Sequence, residues 1–270
     1  MMKIGRYLLI ASSRQGAPPA HLQGAWNAFD YAPWSGGFWH NINVQMNYWG
    51  AFSANLSETF QAYADYNKAF RQKANELATE YITFNNPAAL APDPAENGWT
   101  VGTNTNAFSI TAPGGHSGPG TGGFTTKLFW DYYDFTRDKE ILRQHVYPAL
   151  LGMAKFLSKT LKPTPEGYLL ASPSSSPEQY HQGQYYQTMG CTFDQSMIQE
   201  NFTDLLKAAE ILKIKDSFLD TVRAQLPRLD AIQLGASGQI KEYREEQRYG
   251  EIGDPRHRRA WPPRQGEVRG

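Results

Sequence analysis

Between Leu56 and Phe84 the apolar positions of LSETFQAYADYNKAFRQKANELATEYITF, namely Phe60, Tyr63, Phe70, Leu77 and Tyr81, recur at spacings near multiples of three and four. That is the period of one face of an α-helix. Ser57 stands where a cap belongs, and Asn85-Asn86-Pro87 ends the pattern. A Pro- and Ala-rich loop follows to Trp99. The segment TTKLFWDYYDFTRDKEILRQHVYPALLGMAKFLSKTL then predicts two helices meeting near Thr136-Arg137-Asp138, the second carrying Ile141, Leu142, Val146, Leu150, Leu151, Ala154 and Leu157. Pro148 inside that pattern predicts a kink or a helix start. From Lys162 to Gln187 the chain is polar apart from the short strand-like GYLLAS. Helical periodicity resumes in SMIQENFTDLLKAAEIL and FLDTVRAQL. The pattern is therefore all-α: about five or six helices with almost no strand, paired as hairpins whose long polar loops gather at one end of a partial α/α array.

Charge narrows the partners. With 26 Lys+Arg against 26 Asp+Glu, nothing in the bulk charge recruits nucleic acid or an anionic membrane. Hydrophobic residues at 40% and aromatics at 13% are ample for a packed core in one large domain or two small ones. Cys191 is alone, which rules out an intrachain disulfide and makes it a small core residue. No window approaches about 18 uninterrupted apolar residues, and the opening MMKIGRYLLIASSR has an apolar run of only about five. The chain as written is therefore expected to carry no export address.

Chemistry concentrates in the loops. HNINVQMNYWG, residues 40 to 50, sets polar amides among Ile42, Val44, Met46, Tyr48 and Trp49. Read as extended, it sends Asn41 and Asn43 to one face and Ile42 and Val44 to the other. The paired amides either tie down neighbouring loop backbone or orient a small polar ligand or a water. In SPSSSPEQYHQGQ, residues 172 to 184, Pro177 gives Glu178 a rigid pedestal. Tyr180, His181, Tyr185 and Tyr186 crowd it, and burial among aromatics moves a carboxyl towards the range of a general acid. Rings near hydroxyl-binding amides suit a sugar, as do Trp26, Trp34, Trp39 and Trp49, although core packing explains aromatics equally well. The run GGHSGPGTGG, residues 114 to 123, lacks the Gly-Lys-Ser/Thr ending of a phosphate loop and reads as a tight turn. In IKEYREEQRYGEIGDPRHRR the charges Glu242, Glu245, Glu246, Asp254 and His257 read as a solvated face. No HExxH, Cys/His cluster or G-x-S-x-G elbow is present, so the expectation is no metal, no cofactor and no serine nucleophile.

Taken in order, RYLLIASSRQGAPPAHLQGAWN, HNINVQMNYW with NLSE after it, TAPGGHSGPGTGG, LFWDYYDFTRD, GYLLASPSSSPEQ, TFDQSMIQENF and GQIKEYREE resemble the catalytic domain of glycoside hydrolase family 95, from about Gly5 to Arg258. These are α-L-fucosidases, some acting on α-L-galactosides. The resemblance implies an (α/α)6 toroid and hydrolysis with inversion. It implies Glu178 as general acid and Asn41 and Asn43 as the amides that bind and polarise the attacking water, an arrangement that fits the room inverting chemistry needs between acid and water. His257 and Arg258 match the start of a His-Arg-His sugar-contacting segment. With His40, Trp49 and His116, they complete the expected substrate contacts. The implied partner is a fucosylated oligosaccharide or polysaccharide, with no cofactor, no nucleic acid and no membrane, and the full-length family suggests a secreted or periplasmic home.

The departures matter too. Family members carry a β-sandwich before the toroid and continue past the His-Arg-His segment to a motif resembling Gln-x-Asp-Gly-Asn, whose Asp is the base. Residues 1–258 are thus expected to form a partial (α/α)6 domain, and Arg- and Pro-rich residues 259–270 an out-of-frame tail. A chain without that base is expected to be an inactive fragment. The rivals are a non-catalytic sugar-binding protein or scaffold, and a related α/α glycosidase or inverting phosphorylase.

Overall fold

In the computed structural model, which describes residues 2–248, 251 and 252, α1 (Met2–Ser12) is followed by an irregular stretch leading to β1 (Phe38–Trp39) and α2 (Asn43–Ser53). Ser57, expected as a cap, is instead the first residue of a 3-10 turn, Ser57–Phe60, that feeds α3 (Gln61–Asn85). The helical period holds, but the buried side is Tyr63, Phe70, Ala74, Ala78 and Ile82, and Leu77 and Tyr81 of the expected face are only half-buried. β2 (Asn104–Thr105) returns to pair with β1, Phe38 opposite Thr105 and Trp39 opposite Asn104.

α4 (Gly120–Thr136) ends where expected, at Arg137 in the left-handed region (φ 54°). Asp138 then caps the next helix, its carboxylate accepting from Glu140 N at 2.7 Å. α5 (Lys139–Ile141) runs through a π turn, Leu142–Val146, into α6 (Tyr147–Thr160). Pro148 is the second residue of α6 and follows directly on the π turn, so the ladder is irregular where a proline inside a helical run removes a donor. β3 (Leu161–Pro163) pairs with β4 (Leu169–Ala171) and β5 (Tyr180–His181) with β6 (Gln184–Tyr185), all antiparallel. α7 (Thr192–Leu212) and α8 (Phe218–Gln225) follow. Helix dominates, in keeping with the all-α expectation, and no helix among the described residues is long and apolar enough to cross a membrane.

α4 lies at the centre, packed on α2, α6 and α7, while α6 also touches α3 and α8. Phe60, Phe129, Leu150, Met153, Phe156 and Phe202 are fully buried between these helices, each such side chain contributing about 1.5–3 kcal/mol. The glycine run corrects its sequence reading. Only Gly114 and Ser117 bridge across a turn, whereas Gly120, Gly122 and Gly123 enter α4. There a Cβ would overlap Asp194, Met153 and Met197 respectively. Absence of side chains lets α6 and α7 approach the start of α4.

Candidate active site

HNINVQMNYW is not extended. His40, Asn41 and Ile42 make a turn between β1 and α2, and Asn43 is the first residue of α2. Helical spacing replaces alternation, so Val44, Gln45 and Tyr48 are buried while Ile42, Met46 and Trp49 face outwards. The segment is helical because its apolar positions are satisfied from outside: Tyr48 hydroxyl sits 2.6 Å from Ser13 Oγ and accepts from Ala20 N. Gln45 Nε2 donates to His40 O at 2.7 Å, and His40 N to Thr103 O at 2.9 Å. These bonds fix the turn. Asn41 is thereby held 5% exposed, and its Nδ2 donates to Glu178 Oε1 at 2.7 Å. Its Oδ1 is buried with no bonded group among the described residues.

Glu178 occupies a turn on the loop between β4 and β5, and a buried carboxylate shapes that loop from beneath. Asp194, in the first turn of α7, accepts from Ser174 Oγ at 2.6 Å, Ser175 N at 3.1 Å, Gly120 N at 2.7 Å and Cys191 Sγ at 3.5 Å. It therefore ties the Glu178 loop to the N-termini of α4 and α7. Complete burial outweighs the donors and pushes its carboxyl up to about 6. Beside it Cys191 is buried as expected, its thiol held protonated chiefly by desolvation. Gly118 completes the node, since a Cβ there would overlap the Asp194 carboxylate.

From the side the loop is braced by the segment expected to be a solvated face. Ser176 Oγ donates to Glu242 Oε1 at 2.7 Å, and Tyr186 hydroxyl and Thr188 Oγ1 both donate to Glu245 Oε1 at 2.6 Å. Glu246 is fully buried and accepts from Glu242 N at 3.1 Å. Glu242 and Glu246 are thus structural, Glu245 stays exposed while bonded to the loop, and no helix carries these three.

Around Glu178 itself the expected burial is not found, because the side chain is 47% exposed. His116 Nε2 lies 3.7 Å from Oε1. The His116 ring is 5.8 Å from Trp39 and 5.2 Å from Tyr185, whose hydroxyl is pushed up to about 12 by desolvation, Tyr180 and the nearby Glu178 charge. Trp49, by contrast, contacts Phe124. His40 is fully buried against Tyr63 and Phe70, and burial pushes its imidazole down to about 3, so it supports the turn and offers no surface to a ligand. Asn43 is half-buried, with no bond to Glu178 among the described residues. His257, Arg258 and Asp254 lie outside the described residues, as does the tail 259–270. No group of three His, Cys, Asp or Glu among the described residues is arranged to hold a metal ion.

The site thus sets a half-exposed carboxylate against an amide donor, with the His116 imidazole 3.7 Å away. The chain belongs to the glycosyl hydrolase family 95 catalytic domain, whose model matches residues 1–260. It is 31% identical over 256 residues to alpha-L-fucosidase 2 of Arabidopsis thaliana, covering 91% of this chain and 29% of that protein. To the probable alpha-fucosidase A of Aspergillus niger it is 32% identical over 250 residues, covering 89% and 30%. The corresponding protein of Aspergillus oryzae is 28% identical over 242 residues, covering 89% and 24%. The chain thus spans 30% or less of the length of the relatives it matches.

Proposed function

We propose that the full-length protein is an inverting exo-α-L-fucosidase, or a close relative acting on α-L-galactosides, whose substrate is a fucosylated oligosaccharide or polysaccharide. Residues 1–258 then belong to an (α/α)6 toroid. Family membership and the names of the relatives support the substrate class. The observation that carries the site is the Asn41–Glu178 hydrogen bond, which joins two motifs 137 residues apart at 2.7 Å.

In this reading Glu178 gives its proton to the glycosidic oxygen as the bond to the anomeric carbon breaks. Water attacks that carbon from the opposite face, held by the amides of Asn41 and Asn43, and a base takes its proton. An amide accepts a hydrogen bond but does not hold that proton, so the base is a carboxylate, which the family resemblance assigns to an Asp outside this sequence. Acid and base carboxyls stand about 6.5–9.5 Å apart in inverting enzymes, so Asn41 must release Glu178 when a sugar ring comes between them. In this reading His116, 3.7 Å from Glu178, meets a sugar hydroxyl, and Trp49, His257 and Arg258 are further substrate contacts.

The test is turnover of a fucosylated oligosaccharide by the full-length protein, with the anomer of the first product read by NMR. Glu178→Gln is expected to lower kcat by about 10²–10⁴-fold on this poor leaving group. Unchanged turnover removes Glu178 from the role, and retention of configuration refutes the water-positioning amides.

A further inference from the structure

The hairpin that begins two residues after Glu178 has features that proton donation does not require. β5 and β6 are joined by Gln182-Gly183, both in the left-handed region (φ 53° and 82°), as a two-residue turn of matching twist demands. The resulting register sets Tyr180 opposite Tyr185, with ring centroids 4.1 Å apart. His116 continues the line 5.2 Å from Tyr185, and Trp39 lies 5.8 Å beyond it. Three separate stretches of the chain thus contribute to one strip of rings beside the carboxylate. All four side chains are only half-buried, whereas rings recruited for core packing, such as Phe60 and Phe129, are fully enclosed.

We propose that Tyr185 and Tyr180, with His116 and Trp39, form the subsite for the sugar on the leaving-group side of the scissile bond. The proposal rests on Glu178 being the general acid. An acid that protonates the glycosidic oxygen stands beside that oxygen, and a side chain two residues along the same loop remains on its side of the bond. The attacking water of an inverting reaction arrives at the other face. The strip therefore meets the departing sugar. Its chemistry fits a neutral pyranose: the C–H face of a hexose lies on aromatic rings, no Lys or Arg belongs to the strip, and tyrosine hydroxyls and the imidazole offer hydrogen bonds at its edge.

The experiment compares two substrates on the full-length protein: a fucosylated oligosaccharide, and α-L-fucosyl fluoride, whose leaving group carries no sugar. Tyr185→Ala is expected to lower kcat/KM for the oligosaccharide by about tenfold more than for the fluoride, the equivalent of about 1.4 kcal/mol of lost stacking. Tyr185→Phe retains most of the preference, and Tyr185→Leu, which keeps bulk for folding, loses it as the alanine variant does. Equal losses on both substrates, or none on either, overturn the subsite. Glu178→Gln separates this outcome from a failure of the acid assignment: a true acid loses far more on the oligosaccharide than on the fluoride, whatever Tyr185 does. A wild type that hydrolyses neither substrate ends both readings.

Discussion

Replacing Asp194 by asparagine changes one oxygen to an NH2 at nearly constant shape, and the node around it makes the consequence calculable. Oδ1 accepts from one backbone N–H, that of Gly120, and Oδ2 from another, that of Ser175. Whichever way the new amide is turned, its NH2 faces one of these donors. One buried N–H is therefore orphaned, at about 1–3 kcal/mol. The second effect has the opposite sign. Asp194 has its carboxyl raised from 3.8 to about 6, so between those values the folded protein binds more protons than the unfolded chain. Stability then falls as pH rises, by about 3 kcal/mol in all. Asparagine has no such dependence. The variant should be less stable than the wild type near pH 4, with the deficit closing or reversing by about pH 7. Urea melts followed by tryptophan fluorescence at several pH values measure the difference directly, and all other titrations cancel in it. A difference constant across this range, or one that widens as pH rises, would show that the four donors rather than burial govern this carboxylate.

Two further perturbations follow from the same packing. Gly118→Ala places a methyl on the Asp194 carboxylate, so a loss of about 1–3 kcal/mol is expected. In a double-mutant cycle with Asp194→Asn the losses should fail to add, since one contact is counted in both; strict additivity would mean that Gly118 matters for some other reason. His40 has its imidazole lowered from 6.5 to about 3, so the unfolded chain binds the extra proton and stability drops as pH falls through that window, by up to roughly 5 kcal/mol. His40→Gln should therefore lose less stability than the wild type between about pH 7 and pH 4 in calorimetric melts; parallel losses would refute the assignment.

The helices were legible because their signal is local. The 3.6-residue period of α3, the break at Arg137-Asp138 and the placement of Pro148 all follow from side chains within a few turns of one another. The sequence errors share a cause: they concern residues whose conformation is set by specific hydrogen bonds and packing partners rather than by the local pattern of apolar positions. HNINVQMNYW alternates well enough to pass for a strand, yet Tyr48 bonded to Ser13 and Gln45 bonded to the His40 carbonyl make it a turn and a helix. GGHSGPGTGG reads as a turn because glycine is usually a turn residue, but its helical members are small to admit Asp194, Met153 and Met197 from two other helices.

The candidate site divides in the same way. Glu178 and Asn41 could be singled out because each is chemically odd where it stands, a carboxylate after proline and an amide among apolar residues. Asp194 could not, since an acid in the first turn of a helix is ordinary; only its complete burial under Ser174 and Ser175 reveals what it supports. Glu242 and Glu245 were hidden for a similar reason, their hydroxyl donors lying 57 to 66 residues away. The Glu178 loop is consequently held by carboxylates at both its base and its flank while its own carboxylate stays half-exposed. In the proposed acid role of Glu178, rigidity below and access above both count, because a transition state tolerates little misplacement of the acid and the glycosidic oxygen must still reach it.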